Sequence, residues 1–334
     1  MFSIWMTNRC NMSCKYCYEG SEKLDNVFGM DKVDRLMNFM EKYNVRGDEV
    51  PVSFHGGEPL LESETIEEII KRVKQRYPSA LLAITTNGTV MSDKIADVLI
   101  DSGMEITVSI DGNQMCHDQN RIYKNGQGTH SKVMETIRFL QDKGAENMRY
   151  RLTFNSKTVK YLAENIQWLE EHGIKEVVPI PDYFDKEWND AGIAEFIHNI
   201  ELLKKMKENN QDKEFYVPYT EKNEIKRKGS CRGGMGSYQI NANGDIYPCT
   251  YTVGSNKYKI GTLEQGIFQD KIQELEAIYK KEIEDCNGCD FKGYCTSYRC
   301  RFLNELLNGN LYHASPIMCE FENVMYKYVL CGNQ

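Results

Sequence analysis

The run CNMSCKYC near the start of the chain places Cys10, Cys14 and Cys17 within eight residues. Thiols so closely spaced are metal ligands when they stay reduced, and two kinds of centre compete for them. Structural zinc requires a closed tetrahedron of four ligands, one more than the run supplies. A four-iron cluster held by three cysteines instead leaves one iron open to a small molecule. The three thiols directly follow the first apolar run, FSIWMT. That places them where parallel α/β folds collect ligands, at the carboxyl ends of the strands.

Further polar residues follow later apolar runs in order. HGGEPLL (55–61) supplies Gly56, Gly57, Glu58 and Pro59, and TTNGT (85–89) supplies Asn87. SIDG (109–112) supplies Ser109 and Asp111, and HDQNR (117–121) supplies Arg121. Paired glycines let backbone approach a ligand closely. Taken singly, GGEP and NG are turns and Arg121 is a surface residue. Their succession at strand ends is what carries information.

The elements that must position these groups alternate. FSIWMT precedes MDKVDRLMNFMEKY, VPVSFHGG precedes SETIEEIIKRVKQRY, and ALLAITTNGT precedes SDKIADVLIDSG. EITVSIDG leads to HSKVMETIRFLQDKG, MRYRLTFN to TVKYLAENIQWLEEHG, and KEVVPIPDY to AGIAEFIHNIELLKKMKENN. Six strand–helix units predict an α/β fold with a parallel sheet buried on both faces. Right-handed crossovers wind such units into a partial (β/α)6 barrel or into a doubly wound sheet, and periodicity does not separate the two. A core domain over 1–210 and a linker over 211–228 follow from the lysine-rich end of the last helix. Residues 229–334 then form a loop-rich, cysteine-rich domain in which GSYQINANGDIYPCTYT reads as a hairpin, and bound metal supplies the constraint that a small core cannot.

Bulk properties narrow the function. The 334 residues are 41% hydrophobic and 27% charged, with a net charge of −8, which argues against general nucleic-acid affinity. No apolar run reaches membrane-spanning length and no signal peptide precedes the first strand, so a cytoplasmic location is expected. Disulfides are rare there, and the 12 cysteines call for metal. Tyr18, Phe54, Tyr183 and Phe184 lie near strand ends and could line a cleft, although core packing is the ordinary use of such residues. Cys116 is expected to pack as a small apolar side chain.

CNMSCKYC, a CxxxCxxC with Tyr16 before the last cysteine, resembles the signature of the radical S-adenosylmethionine (radical SAM) enzymes. GGEP at 56–59, Asn87, Ser109, Asp111 and Arg121 match the order of that family's SAM-contacting elements. The resemblance implies a [4Fe–4S] cluster on Cys10, Cys14 and Cys17, with the methionine part of SAM on the open iron. It also implies one-electron cleavage of SAM to a 5′-deoxyadenosyl radical that takes hydrogen from a substrate.

The tail extends the likeness. Cys231, Cys249, Cys286, Cys289, Cys295, Cys300 and Cys319 resemble the seven cysteines of the SPASM extension, which holds two auxiliary [4Fe–4S] clusters. The family's interleaving implies Cys231, Cys249 and Cys300 for the nearer cluster, and Cys286, Cys289, Cys295 and Cys319 for the farther one. Zinc is the alternative for these CxxC spacings. The chain departs from the pattern by four residues between Cys295 and Cys300 where three are usual. It departs again in EKNEIKRKGS (221–230), where relatives carry a further cysteine. The fourth ligand of the nearer cluster is therefore unassigned, with Cys331 a weak candidate.

The resemblance implies a peptide substrate. The leading expectation is a ribosomally made precursor peptide that receives a thioether (sactipeptide or ranthipeptide type) or carbon–carbon crosslink. Anaerobic sulfatase maturation to formylglycine and peptide epimerisation are the alternatives. An epimerase needs a hydrogen donor, for which Cys116 is the candidate. Formylglycine-forming relatives carry aspartate after the second auxiliary cysteine, and here Thr250 follows Cys249. A non-catalytic electron-transfer protein would leave GGEP and its companions without a purpose. The partner implied is a one-electron donor such as flavodoxin or ferredoxin and, because the chain begins at its first strand, leader recognition falls to the barrel surface, the auxiliary region or a separate leader-binding protein.

Overall fold

FSIWMT forms β1 (Phe2–Thr7), and all six of its residues are buried, as a strand covered on both faces requires. The computed structural model describes residues 1–20, 25–209, 227–229 and 231–330. Cys331, most of the 211–228 linker and most of EKNEIKRKGS lie outside the described residues. The other strands are β2 (Pro51–Gly56), β3 (Leu81–Thr86), β4 (Glu105–Ser109), β5 (Met148–Phe154) and β6 (Val177–Pro181). Shorter strands follow: β7 (Tyr238–Ile240), β8 (Asp245–Tyr247), β9 (Gly261–Thr262) and β10 (Gly266–Ile267). β1 to β6 coincide with the six apolar runs of the sequence.

The chain divides into two compact units that interleave. The first comprises Met1–Ser109, Arg121–Met148 and Arg232–Ala277, and the second Ile110–Asn120, Arg149–Cys231 and Ile278–Gln334. Within the first unit β1, β2, β3 and β4 pair in parallel in sequence order. Sequential order is the product of same-sense crossovers, without the reversal that marks a doubly wound sheet. β7 pairs in parallel with the other edge of β1, and β8, β9 and β10 continue antiparallel. The NANGD turn is present, with Gly244 at φ 92°, a conformation glycine adopts without a Cβ clash. The hairpin draws its stability from β1 as well as from any metal, a dependence that local sequence does not reveal.

Helices cover the first unit through their apolar stripes. Val33–Tyr43 buries Val33, Leu36, Phe39 and Met40, and Ser63–Arg76 buries Thr65, Ile66, Ile69, Ile70 and Val73, each at three- and four-residue steps. Ser92 caps Asp93–Asp101 by accepting from Ile95 N–H at 3.3 Å. Phe2, Phe39, Tyr43 and Tyr238 join their rings beside β1 and β7, with Phe39 and Tyr43 4.5 Å apart.

In the second unit β5 and β6 run parallel, backed by helices Leu162–Glu171 and Asp190–Asn209. Gln114–Asn120 is a short helix that sequence periodicity did not announce, although it buries Cys116, His117 and Asn120. Helix Pro316–Met325 is anchored by Phe321, which is 1% exposed. The Phe321 ring meets Trp188 and Phe196 at 4.9 Å and Phe154 at 6.2 Å. No described helix is long and apolar enough to cross a membrane.

Truncating Phe321 removes the ring that holds this helix. Phe321→Ala is expected to lower unfolding stability by about 3–5 kcal/mol, read from denaturant midpoints. Leu306→Ala, at a position 51% exposed, is expected to stay within about 0.5 kcal/mol.

Candidate active site

The loop carrying Cys10, Cys14 and Cys17 is held from two sides. Ser13 N–H donates to Ile122 O at 2.8 Å, and Met12 bridges Tyr123. Arg121, at the start of that segment, lies over the Tyr16 ring at 5.2 Å from its centroid. From the other side, Gly57 N–H donates to Thr7 O and Glu58 N–H to Arg9 O, both at 2.9 Å. Gly56 and Gly57 make this approach possible. A Cβ on Gly56 would lie 2.2 Å from Thr7 O, and one on Gly57 2.1 Å from Arg9 O. The paired glycines thus admit the backbone of the cysteine loop itself.

Glu58 is fully buried. Its Oε1 accepts from Leu60 N–H at 3.2 Å and from Thr86 Oγ1 at 2.7 Å, and its Oε2 accepts from Asn87 N–H at 2.7 Å. Glu58 thereby caps the turn Pro59–Glu62, which has Pro59 at its first position, and ties the end of β2 to the end of β3. Burial pushes its carboxyl up to about 7, against the pull of the three hydrogen bonds.

Asn87 continues the chain of contacts. Its Nδ2 donates to Asn11 Oδ1 at 2.9 Å and lies 3.8 Å from Cys10 Sγ, while its Oδ1 accepts from Thr89. Met12 N–H also points at Cys10 Sγ, at 3.4 Å. Two N–H donors around one sulfur are the surroundings that stabilise a metal-bound thiolate. Thr86, Asn11 and Thr89 are members of this site that the sequence reading missed. Their only advance signal is adjacency to Asn87 and Cys10. Ser109 ends β4 in the same unit and is buried.

Asp111 belongs to the second unit. Its Oδ1 accepts from Thr153 N–H at 2.9 Å, and its own N–H donates to His117 Nδ1 at 3.3 Å. Asp182, after β6, is a second buried carboxylate there, pushed up to about 6 by burial. Cys116 is 1% exposed and its thiol is raised by burial; it packs as a core residue. Phe54 is wholly buried, whereas Tyr18 is 46% exposed and meets the Tyr251 ring at 5.8 Å.

The tail thiols Cys286, Cys289, Cys295 and Cys319 line one cavity of about 200 Å³ within the second unit. Burial pushes Cys295 and Cys300 up to about 11, and Cys231 lies near enough to Cys300 to add to its shift. Cys249 belongs to the first unit. The extra residue before Cys300 is taken up in one helical turn, Thr296–Arg299. None of the described cysteines is disulfide-bonded. Among the described residues, no three Cys, His, Asp or Glu side chains converge on one point as a single ion requires. Four thiols around one cavity are the residue type that either an iron–sulfur cluster or a zinc ion would use.

The sequence profile of the Radical SAM superfamily matches residues 4–169. The chain belongs to the radical SAM superfamily. The matched segment holds Cys10, Cys14, Cys17, Glu58, Asn87, Ser109, Asp111 and Arg121. The cysteine-type anaerobic sulfatase-maturating enzyme of Clostridium novyi is 23% identical over 87% of this chain and 85% of its own length. The radical SAM cyclopropyl synthase TigE of Paramaledivibacter caminithermalis is 22% identical over 97% of this chain and 72% of its own. Native anSMEcpe with bound AdoMet and Cp18Cys peptide superposes with a TM-score of 0.80 at 17% identity, covering 98% of this chain and 95% of that one. This last likeness establishes a shared fold. The protein is thus a radical SAM enzyme related to peptide- and protein-modifying maturases.

Two outcomes follow for this radical SAM enzyme. Glu58 holds its proton in the folded state up to about pH 7, whereas a glutamate in the unfolded chain releases it near 4.5. Its contribution to stability is complete below about pH 4.5 and is lost as pH rises toward 7, amounting to about 3 kcal/mol. The stability difference between wild type and Glu58→Gln, read from urea midpoints of the metal-free protein, is therefore expected to move in favour of the Gln variant as pH rises from 4.5 to 8. Gly57→Ala forces the 55–58 loop off Arg9 O and is expected to cut SAM-dependent release of 5′-deoxyadenosine about a hundredfold, measured by chromatography.

Proposed function

We propose that the protein is a SPASM-type radical SAM maturase that crosslinks a ribosomally made precursor peptide through a thioether or carbon–carbon bond. The observation that carries this reading is the pair of separate thiol sets, one on the loop after β1 and one around the second unit's cavity. On this reading residues 1–210 form a partial (β/α)6 barrel, 211–228 a linker and 229–334 the SPASM region. Cys10, Cys14 and Cys17 hold the SAM-binding [4Fe–4S] cluster. Cys231, Cys249 and Cys300 hold the nearer auxiliary cluster, and Cys286, Cys289, Cys295 and Cys319 the farther one. With SAM bound, the first of these supplies the one-electron chemistry that generates a 5′-deoxyadenosyl radical.

The chain's own residues do the rest. Glu58 and Asn87 fix the strand ends under Cys10, and Arg121 and Tyr16 close the loop from the opposite side. Water exclusion and alignment of the target carbon are the protein's share of the chemistry. A one-electron donor of the flavodoxin or ferredoxin class, a reducing cytoplasmic compartment and a separate leader-binding protein complete the proposal.

Formylglycine formation on a sulfatase is the second reading, favoured by the likeness to the sulfatase maturase. Thr250 weighs against it. Its hydroxyl donates to Gln239 Oε1 at 3.1 Å, and Trp5 Nε1 donates to the same oxygen at 3.3 Å. Where formylglycine-forming relatives carry a carboxylate, this chain holds a hydroxyl already spent as a donor, which is no base at neutral pH.

Anaerobic reconstitution is expected to load about twelve irons per chain. SAM and a reductant should then release 5′-deoxyadenosine, and Cys14→Ala should abolish that release. Co-expression with a cysteine-containing peptide encoded nearby should yield a peptide whose mass falls by the hydrogens displaced in each new bond. Bound zinc, or a peptide cysteine converted to formylglycine, would overturn the crosslinking assignment.

A further inference from the structure

Glu322 lies three residues beyond Cys319 on helix Pro316–Met325, so the two side chains share a helix face. It is 6% exposed and lines the cavity with the four thiols. Its Oε2 makes no hydrogen bond among the described residues. The opposite charge is Lys228, whose Nζ stands 3.5 Å from that oxygen. Lys228 is itself fixed in place. Its Nζ donates to Thr296 Oγ1 at 2.5 Å, directly after Cys295, and its backbone N–H donates to Gly293 O at 2.8 Å. One turn beyond Glu322, Tyr326 is 2% exposed and stacks on Phe291 with ring centroids 4.9 Å apart.

Glu322 is buried while Lys228 keeps a third of its side chain exposed, and desolvation of the carboxylate offsets the attraction of such a pair. The low dielectric around Glu322 makes its charge act strongly on other charges nearby, whereas Lys228 acts with more solvent screening. Here the nearby groups are thiols. Glu322 lines one cavity with Cys286, Cys289, Cys295 and Cys319. Cluster potentials respond to local charge, hydrogen bonding and solvent exposure. Adding an electron makes a cluster more negative, which a carboxylate opposes and an ammonium favours.

We propose that Glu322 and Lys228 are positioning residues that set the reduction potential of the centre held by Cys286, Cys289, Cys295 and Cys319, with Glu322 lowering it and Lys228 raising it. This rests on reading those four thiols as cluster ligands.

The test uses the full chain with Cys10, Cys14 and Cys17 all changed to Ala, reconstituted anaerobically and titrated by electron paramagnetic resonance against a series of redox dyes. In this parent protein only the auxiliary centres load. Glu322→Gln is expected to move one of the two midpoints to higher potential, and Lys228→Met to move the same midpoint lower. Glu322→Asp and Lys228→Arg should stay near the parent value. A merely structural pair would give shifts of one sign, or none, and either result overturns the proposal. Loss of that centre's iron in both neutral variants overturns it as well, since the pair would then serve assembly alone. A parent protein that binds zinc or shows no second auxiliary signal would instead sink the cluster reading on which the proposal stands.

Discussion

Two backbone hydrogen bonds, from Gly57 to Thr7 and from Glu58 to Arg9, fix where the first thiol can be. They exist because nothing larger than hydrogen fits on the two preceding α-carbons. With that contact made, the Glu58 side chain has no route to solvent and must find its donors inside. It finds them on Leu60, Thr86 and Asn87, which brings the end of β3 into the same unit of structure. The cysteine loop, the glycine pair and the asparagine are thereby one mechanical object, although they come from three separate strand ends. A carboxylate in such a place is costly to ionise, so the loop is held by an acid that stays partly protonated near neutral pH.

Much of this was legible in the sequence. The alternation of apolar runs with amphipathic segments located β1 to β6 and their helices, because periodicity reports burial directly. The expected metal-ligating and SAM-contacting positions came from the resemblance of successive motifs to those of the radical SAM family. The physical role of the glycines was less legible. Glycine signals close approach but not the identity of what approaches, and at Gly57 the neighbour is the chain's own backbone. The short helix Gln114–Asn120 escaped because QMCHDQN has no apolar stripe, its buried positions being a thiol, an imidazole and an amide. The pairing of β7 with β1 was illegible for a different reason. Strands far apart in sequence leave no local trace of their register.

The tail teaches a related lesson. Its cysteines were visible as a pattern, whereas nothing in the sequence singled out Glu322 and Lys228, which the fold brings to 3.5 Å from each other. Phe321 does the docking. It points into the aromatic group of Trp188, Phe196 and Phe154 while its neighbours Cys319 and Glu322 line the cavity. One helix therefore couples the packing of β5 and β6 to the surroundings of the distal thiols.

On the proposed cluster reading, that coupling bears on the order in which the two thiol sets can be assembled. The front thiols are neighbours in the chain, and a loop of eight residues brings them together at little entropic cost. The distal set is incomplete until two intervening helices have formed and the Phe321 ring has seated. On that reading the front set needs only a short loop to come together, whereas the distal set waits for its whole unit to fold.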